Sequence, residues 1–327
     1  MIVEPPELPA ARVAETVRRA WGLDIASATH VEAGTGAWHW TLEDTQGPRW
    51  FATADAVDTP DERRDLFAAY ESAAALAREL PFVIAPAHAR DGRVAVDAAP
   101  GFVLTVAPHL EGLAGTGPFA DDVERTPVAS MLGEVHRRPR PRHLPVWRPR
   151  VGRHARAQRA DLERCLGEDI WQGGPWSHPA RRMLTDASPV VKRSLKRFAL
   201  LGAAVSGTVE RWVVTHGEPR TSKVLATPDG LRMVGWAGVA LAPRERDLRA
   251  VLGEAEGNEP WYAYIEAGGR TEPLSADTVE MFALEWHLSE IADHVVRFAG
   301  PHEDTPDARR CFGDLEHELA ALLERWR

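Results

Sequence analysis

Lysine is almost absent from this 327-residue chain: Lys192, Lys196 and Lys223 are the only three, although Lys and Arg together number 39. Such arginine-rich usage assigns no function by itself, but it leaves the N-terminal half without any lysine at all. Cysteine is equally scarce. Cys165 and Cys311 lie far apart with no CxxC spacing, which excludes a disulfide framework or a thiolate zinc site and leaves both as buried or idle thiols. No stretch approaches the ~18 consecutive apolar residues of a membrane-spanning helix. Positive charge is in deficit, 39 Lys+Arg against 48 Asp+Glu for a net charge of −9 at pH 7. Nucleic acid and anionic membrane both demand a basic face, so neither is expected as the main partner, whereas a neutral or cationic small molecule is easily accommodated. The opening MIVEPPELPAARVAETVRRAWGL has prolines and acids where a signal peptide needs a basic patch and an apolar run, so a cytoplasmic protein is expected.

What is present is an ordinary globular composition. At 36.0 kDa with 44% hydrophobic residues, the chain can bury a sizeable core in one large or two coupled units. An amphipathic helix over about residues 8–22 leads into SATHVEAGTGAWHWTLED, whose alternation around Gly-Thr-Gly reads as a hairpin, and PRWFATADAV adds a third strand. Residues 60–80 open with a proline after Thr59 and acids in the first turn, the signature of a helix start. FVIAPAHARDGRVAV and GFVLTVAPHLEG read as two further strands with an Asp-Gly turn. Beyond Phe119, helices are predicted over about 121–137, 150–166, 177–206, 244–253, 275–298 and 306–326. Short strands interrupt them in RWVVTHGEPRTSKVLATPDGLRMVGWAGVALAPRERDL, residues 211–248. The prediction is an α+β, two-lobed molecule, a β-rich lobe over 1–107 and a helical lobe over 108–327, with its ligand site in the cleft between lobes.

The order Gly-rich hairpin, strand, helix, two strands, connection, HGExxxxxVL and then GWxxxxxxPRERDL resembles the aminoglycoside phosphotransferase family, which shares the protein-kinase fold. The resemblance covers nearly the whole chain and is strongest to the actinobacterial, spectinomycin-phosphotransferase-like branch. That branch reads His-Gly-Glu-Pro-His-Pro-Gly-Asn followed by Val-Asp-Trp-Asp. The resemblance implies transfer of the γ-phosphate of Mg-ATP to an alcohol. Such transfer needs cradled phosphates, a metal held by a carboxylate and an amide, and a carboxylate to take the acceptor's proton.

Several of those groups are altered here. Glu218, after His216 and Gly217, keeps a carboxylate at the base position, where it serves either as a base or as a hydrogen-bonding partner of its loop. The metal-binding amide is replaced by Lys223, whose ammonium has no lone pair to offer a cation. The metal carboxylate expected before Trp236 is Gly235. Asp247 corresponds to a loop-anchoring aspartate and Asp229 shapes a turn, so neither restores the site. Thr53 stands where the third strand usually carries a lysine, and Glu71 is left as an exposed helix acid. Gly34, Thr35 and Gly36 occupy the phosphate-covering loop, with Trp38, His39 and Trp40 beside them as residues that could fill a former nucleotide cleft. Lys223 and Arg220 either bind an anion directly or face solvent; the direction of the Lys223 ammonium separates the two. Trp171, Trp176, Trp261 and Tyr262 either line an acceptor pocket or pack helices.

The expectation is therefore a pseudokinase that has lost Mg-ATP phosphotransfer and binds a small molecule or partner in the interlobe or acceptor cleft. No cofactor is predicted, and ATP with Mg²⁺ returns only if the metal site is intact. The alternatives are an ATP-independent enzyme of specialised metabolism using Glu218 or His216, and a weak small-molecule O-phosphotransferase.

Overall fold

Alternation in the first strands decides the architecture. The computed structural model describes residues 3–32, 36–152, 158–168, 170–252 and 257–326, and by its internal packing the chain divides into two compact units. The first comprises 3–147 with 209–274, the second 148–208 with 275–326.

In the first unit, helix α1 (Ala10–Trp21) precedes strands β1 (Ile25–Val31), β2 (Ala37–Asp44) and β3 (Arg49–Ala56). Helix α2 (Pro60–Ala77) follows, then β4 (Val96–Ala99) and β5 (Phe102–Pro108), giving an antiparallel sheet of order β1-β2-β3-β5-β4. The capping box predicted for α2 is present: Thr59 accepts from the Glu62 N–H while the Glu62 carboxylate accepts from the Thr59 N–H. Side chains alternate between sheet faces, so Trp40, Leu42, Ala52, Ala54, Leu104 and Val106 join Val13, Val17 and Trp21 of α1 in one core. The other face carries His39, Phe51, Thr53 and Asp55. Beside it Val103 packs with Tyr70 and Ala74 of α2, Val94, Ala95 and Ala237.

Residues 82–95 do not form the long strand expected. Val83 makes an isolated parallel bridge with Met233, and Ala87 and Ala89 bond to Val106 and Arg93, so the Asp91-Gly92 turn precedes a short β4 instead of joining two long strands. The physical reason is that Phe82 and Ile84 spend their backbone groups on Met233.

The same unit continues with β6 (Leu113–Ala114), α3 (Asp122–His136), β7 (Val213–Thr215), β8 (Val224–Thr227), β9 (Gly230–Met233) and β10 (Ala240–Ala242). Two small sheets result, β10-β7 and β6-β8-β9. Helix α6 (Glu245–Val251) follows, then α7 (Glu259–Glu266), a helix not predicted from the sequence.

The second unit holds α4 (Arg159–Gly167), α5 (Ser177–Val205), α8 (Ala276–Ala299) and α9 (Pro306–Arg325). The helix expected to begin near 150 starts at Arg159 among the described residues. Leu184, Val191, Leu195 and Phe198 of α5 are buried, as are Leu288, Ile291 and Val295 of α8. Arg197 bridges α5 to Glu280 at 2.6 Å, and Trp326 Nε1 donates to Ser194 Oγ at 2.7 Å. No helix among the described residues is long and apolar enough to cross a membrane.

Candidate functional site

Three buried side chains set the loop after β7. Asp247, fully enclosed, accepts from the backbone N–H groups of His216 and Gly217 at 2.7 Å each, and His136 Nε2 donates to the same carboxylate at 3.1 Å. His136 in turn meets the Tyr264 hydroxyl at 3.1 Å. Burial pushes the Asp247 carboxyl up, but His136 and the neighbouring His216 and Arg246 hold it below the ordinary carboxylate range. It is a satisfied buried acceptor, which is the anchoring role expected of it.

His216 is equally committed. Its Nε2 donates to the Val234 carbonyl at 2.9 Å and its Nδ1 accepts from the Glu218 N–H at 3.2 Å, so both ring nitrogens are used by backbone. Burial holds its pKa below the ordinary histidine value, with the Lys223 charge acting in the same direction. The ring therefore positions the loop and has no free nitrogen for proton transfer. Gly217 has φ +99°, and a β-carbon there would lie 2.7 Å from the Arg246 guanidinium, which donates to Thr215 Oγ1 and the Gly238 carbonyl. Only glycine meets both conditions. Glu218 is half-buried and pairs with exposed Arg220 at 3.3 Å.

Lys223 ends a 3₁₀ turn, Thr221–Lys223, that Thr221 pins by donating to the Gly117 carbonyl at 2.6 Å. The Lys223 side chain lies over Gly235, which has φ +80°. A β-carbon on Gly235 would meet Lys223 Cδ at 2.7 Å, Cε at 3.1 Å and Nζ at 3.3 Å. The lysine thus fills the space where a side chain at 235 would start. Its charge reaches the sheet as well, depressing His39 and lowering Asp55. Among the described residues, the half-buried Lys223 ammonium has no carboxylate within 4.0 Å and no hydrogen-bond acceptor.

The sheet face toward this loop is neutral where a lysine was expected. Thr53 shares a hydrogen bond with His39 at 3.1 Å, and His39 stacks on Phe51 with ring centroids 5.2 Å apart. Burial, followed by the Lys223 charge, lowers the His39 pKa to about 3, so the imidazole is neutral. Two residues along the same face, half-buried Asp55 accepts from the Tyr70 hydroxyl of α2 at 2.6 Å. Burial raises the Asp55 carboxyl to about 6 against the lowering effects of Tyr70 and Lys223. Burial and the Asp55 charge push the Tyr70 hydroxyl well above its usual range, so it remains a donor.

Asp55 and Tyr70 were missed by motif reading, although an aspartate inside a strand, two places from Thr53, is itself a signal: aspartate is disfavoured in strands, and the period of two puts it on the Thr53 face. Glu71 is exposed, as expected. The idea that Trp38 and Trp40 fill a cleft on this face is corrected by the same alternation. Trp40 is fully buried in the α1 core and donates to Glu4, while Trp38 packs on Phe102 and donates to the Val3 carbonyl.

Gly34 and Thr35 lie outside the described residues, and a β-carbon on Gly36 would meet nothing within 4 Å. Of the four aromatic candidates, Trp171 and Trp176 belong to the second unit, Trp261 and Tyr262 to the first. Trp171 and Trp261 are buried, Trp261 beneath the Arg244 guanidinium at 5.8 Å. Trp176 packs on Phe312 in a tilted contact with ring centroids 4.7 Å apart and donates to Asp304, and Tyr262 is 57% exposed.

No family model matches the chain. Protein StrN of Streptomyces griseus is 29% identical over 277 residues, which cover 80% of this chain and 77% of that protein. Among solved structures, spectinomycin phosphotransferase APH(9)-Ia in complex with ADP and spectinomycin has a TM-score of 0.70 at 13% identity over 98% of both chains. Macrolide 2'-phosphotransferase MphH from Brachybacterium faecium has a TM-score of 0.53 at 18% identity over 97% of this chain and 98% of that one. The chain therefore has the kinase-like fold of the aminoglycoside phosphotransferases that its motif order predicted.

Proposed function

We propose that this protein keeps the phosphotransferase fold without ordinary Mg-ATP phosphotransfer and binds a small molecule whose anionic group sits against Lys223. The observation that carries this reading is the lysine stem and ammonium lying over Gly235. Magnesium requires oxygen ligands at about 2.0–2.1 Å. Lys223 supplies none and repels the ion, Gly235 has no side chain, and Asp247 is spent on His216, Gly217 and His136. The residues do not fit the metal, so no step passes through it. Loss of two metal ligands removes most of the electrostatic stabilisation of a phosphoryl transition state. Small-molecule binding agrees with the ADP and spectinomycin bound by APH(9)-Ia.

Titration calorimetry with ATP and GTP, with and without Mg²⁺, tests the reading. The expected result is no magnesium-dependent binding; magnesium-dependent heat together with phosphate transfer to an alcohol overturns it. A second reading, an ATP-independent reaction with Glu218 as base, is supported by the intact anchoring of its loop by Asp247. Since His216 has both nitrogens engaged, that reading rests on Glu218 alone, and unchanged turnover in Glu218→Gln removes it.

A further inference from the structure

The first unit holds an open groove of about 580 Å³, walled by helix α1, the first turn of α2 and the turn between β4 and β5. Its volume is that of a small-molecule site. None of its lining residues belongs to the Thr221–Lys223 turn. Backbone geometry fixes the walls. Gly101, at φ +78°, makes the tight turn from β4 to β5, and the Val57 N–H donates to its carbonyl at 2.9 Å, tying that turn to the segment before α2. Phe102 is held in place by Trp38, whose ring meets it edge-on with centroids 5.4 Å apart.

The charges along this groove do not cancel. Arg12, Arg19 and Arg63 line it with only two carboxylates, Asp58 and Asp97. Arg63 and Asp97 satisfy each other in a two-point pair at 2.6 and 2.5 Å. Arg12 and Arg19, seven residues apart, lie two turns along one face of α1, about 10 Å from each other along its axis. Neither has an ion pair among the described residues, and Glu15 between them on the helix pairs with neither. Arg12 is nevertheless oriented: its Nε donates to the Ala98 carbonyl at 3.1 Å, which leaves both terminal nitrogens without an acceptor. Val57, Pro60, Pro100 and Phe102 supply apolar surface between these cations. The excess of positive charge repels a cationic ligand, although the whole chain carries −9.

We infer that this groove is a second binding site, for a small organic anion whose carboxylate or phosphate is received by Arg12 and Arg19 and whose apolar body lies on Pro100 and Phe102. A guanidinium offers paired donors in a plane that matches either group, and such charge-assisted hydrogen bonds are the stronger kind. The site is separate from the Lys223 turn and does not depend on the function proposed above. No covalent step is involved.

The experiment is calorimetry and amide NMR on the full chain with phenyl phosphate and benzoate, against inorganic phosphate, acetate and benzyl alcohol, which carry only the anionic or only the apolar half. At least one aromatic anion is expected to bind at least about tenfold more tightly than either of its halves and to shift the amides of Ala99, Gly101 and Phe102. The phosphate and carboxylate members separate the two sources of the anionic group. Arg12→Gln and Arg19→Gln are each expected to weaken binding by about 10- to 100-fold. Arg19 makes no contact that its loss would break, so Arg19→Gln reads binding without unfolding, and thermal melts check both variants. Arg142→Gln, the same charge change at an exposed arginine outside the groove, is expected to leave binding unchanged. Equal weakening in Arg142→Gln and Arg19→Gln would mean diffuse attraction and would overturn the site, as would the absence of binding at millimolar concentration. If the shifted amides surround Lys223 and Lys223→Met abolishes binding, the anion occupies the site proposed above; the second site then falls while that function stands.

Discussion

The Lys223 ammonium lies 3.3 Å from the point at which a β-carbon on Gly235 would stand. The two substitutions therefore fit each other: the lysine needs the glycine's missing side chain, and the glycine's exposed backbone is covered by the lysine's stem. One change without the other is costly. Gly235→Ala places a methyl 2.7 Å from Lys223 Cδ at a φ of +80°, and a destabilisation of about 1–3 kcal/mol is expected in urea unfolding. In the double variant Lys223→Asn with Gly235→Asp, a double-mutant cycle is expected to show favourable coupling of at least about 1 kcal/mol, because the shorter residue removes the clash.

Asp247 receives three donors in a fully enclosed site. Asp247→Ala strands two backbone N–H groups and one imidazole, so a loss of about 3–5 kcal/mol is expected from denaturant melts. Asp247→Asn, which keeps one acceptor oxygen, is expected to lose less.

The stability of the fold carries a pH signature at Asp55. Its folded pKa, about 6, is raised above the ordinary aspartate value of 3.8, so the stability it contributes is fully present below about pH 4 and is lost as pH rises through about 6. Asp55→Asn removes that loss. The variant is expected to be more stable than the parent by about 1–3 kcal/mol at pH 7, with the difference vanishing near pH 4. A pH-independent difference in paired urea titrations would refute the assignment.

Tyr70 and Lys223, from α2 and from the loop, both favour the charged form of Asp55. Tyr70→Phe and Lys223→Met are therefore each expected to move the Asp55 titration above about 6, in the same direction. Carboxyl-carbon NMR titration reads this directly, and a downward shift in either variant would contradict the geometry.

The aromatic residues separate by burial. Trp261→Ala is expected to cost about 3–5 kcal/mol, and Tyr262→Ala, 57% exposed one residue on, less than about 0.5 kcal/mol.

Much of this protein was determined by sequence. Local rules placed the capped α2, the β1-β2-β3 hairpins and the long C-terminal helices, because alternation, caps and apolar periodicity are properties of neighbouring residues. The motif order yielded the fold, and the replacement of the metal-binding pair by Lys223 and Gly235 was visible as residue types alone. Tertiary structure decided where those residues point. That Lys223 lies over Gly235 depends on the turn pinned by Thr221 to Gly117, a contact more than a hundred residues apart in the chain. That His216 is spent on backbone depends on Asp247 and Val234, and that Trp40 leaves the His39 face depends on α1 covering the opposite side of the sheet. The pairing of Asp55 with Tyr70 was hidden for the same reason. A strand and a helix met across a sheet face, and only packing brought the carboxylate and the hydroxyl within 2.6 Å.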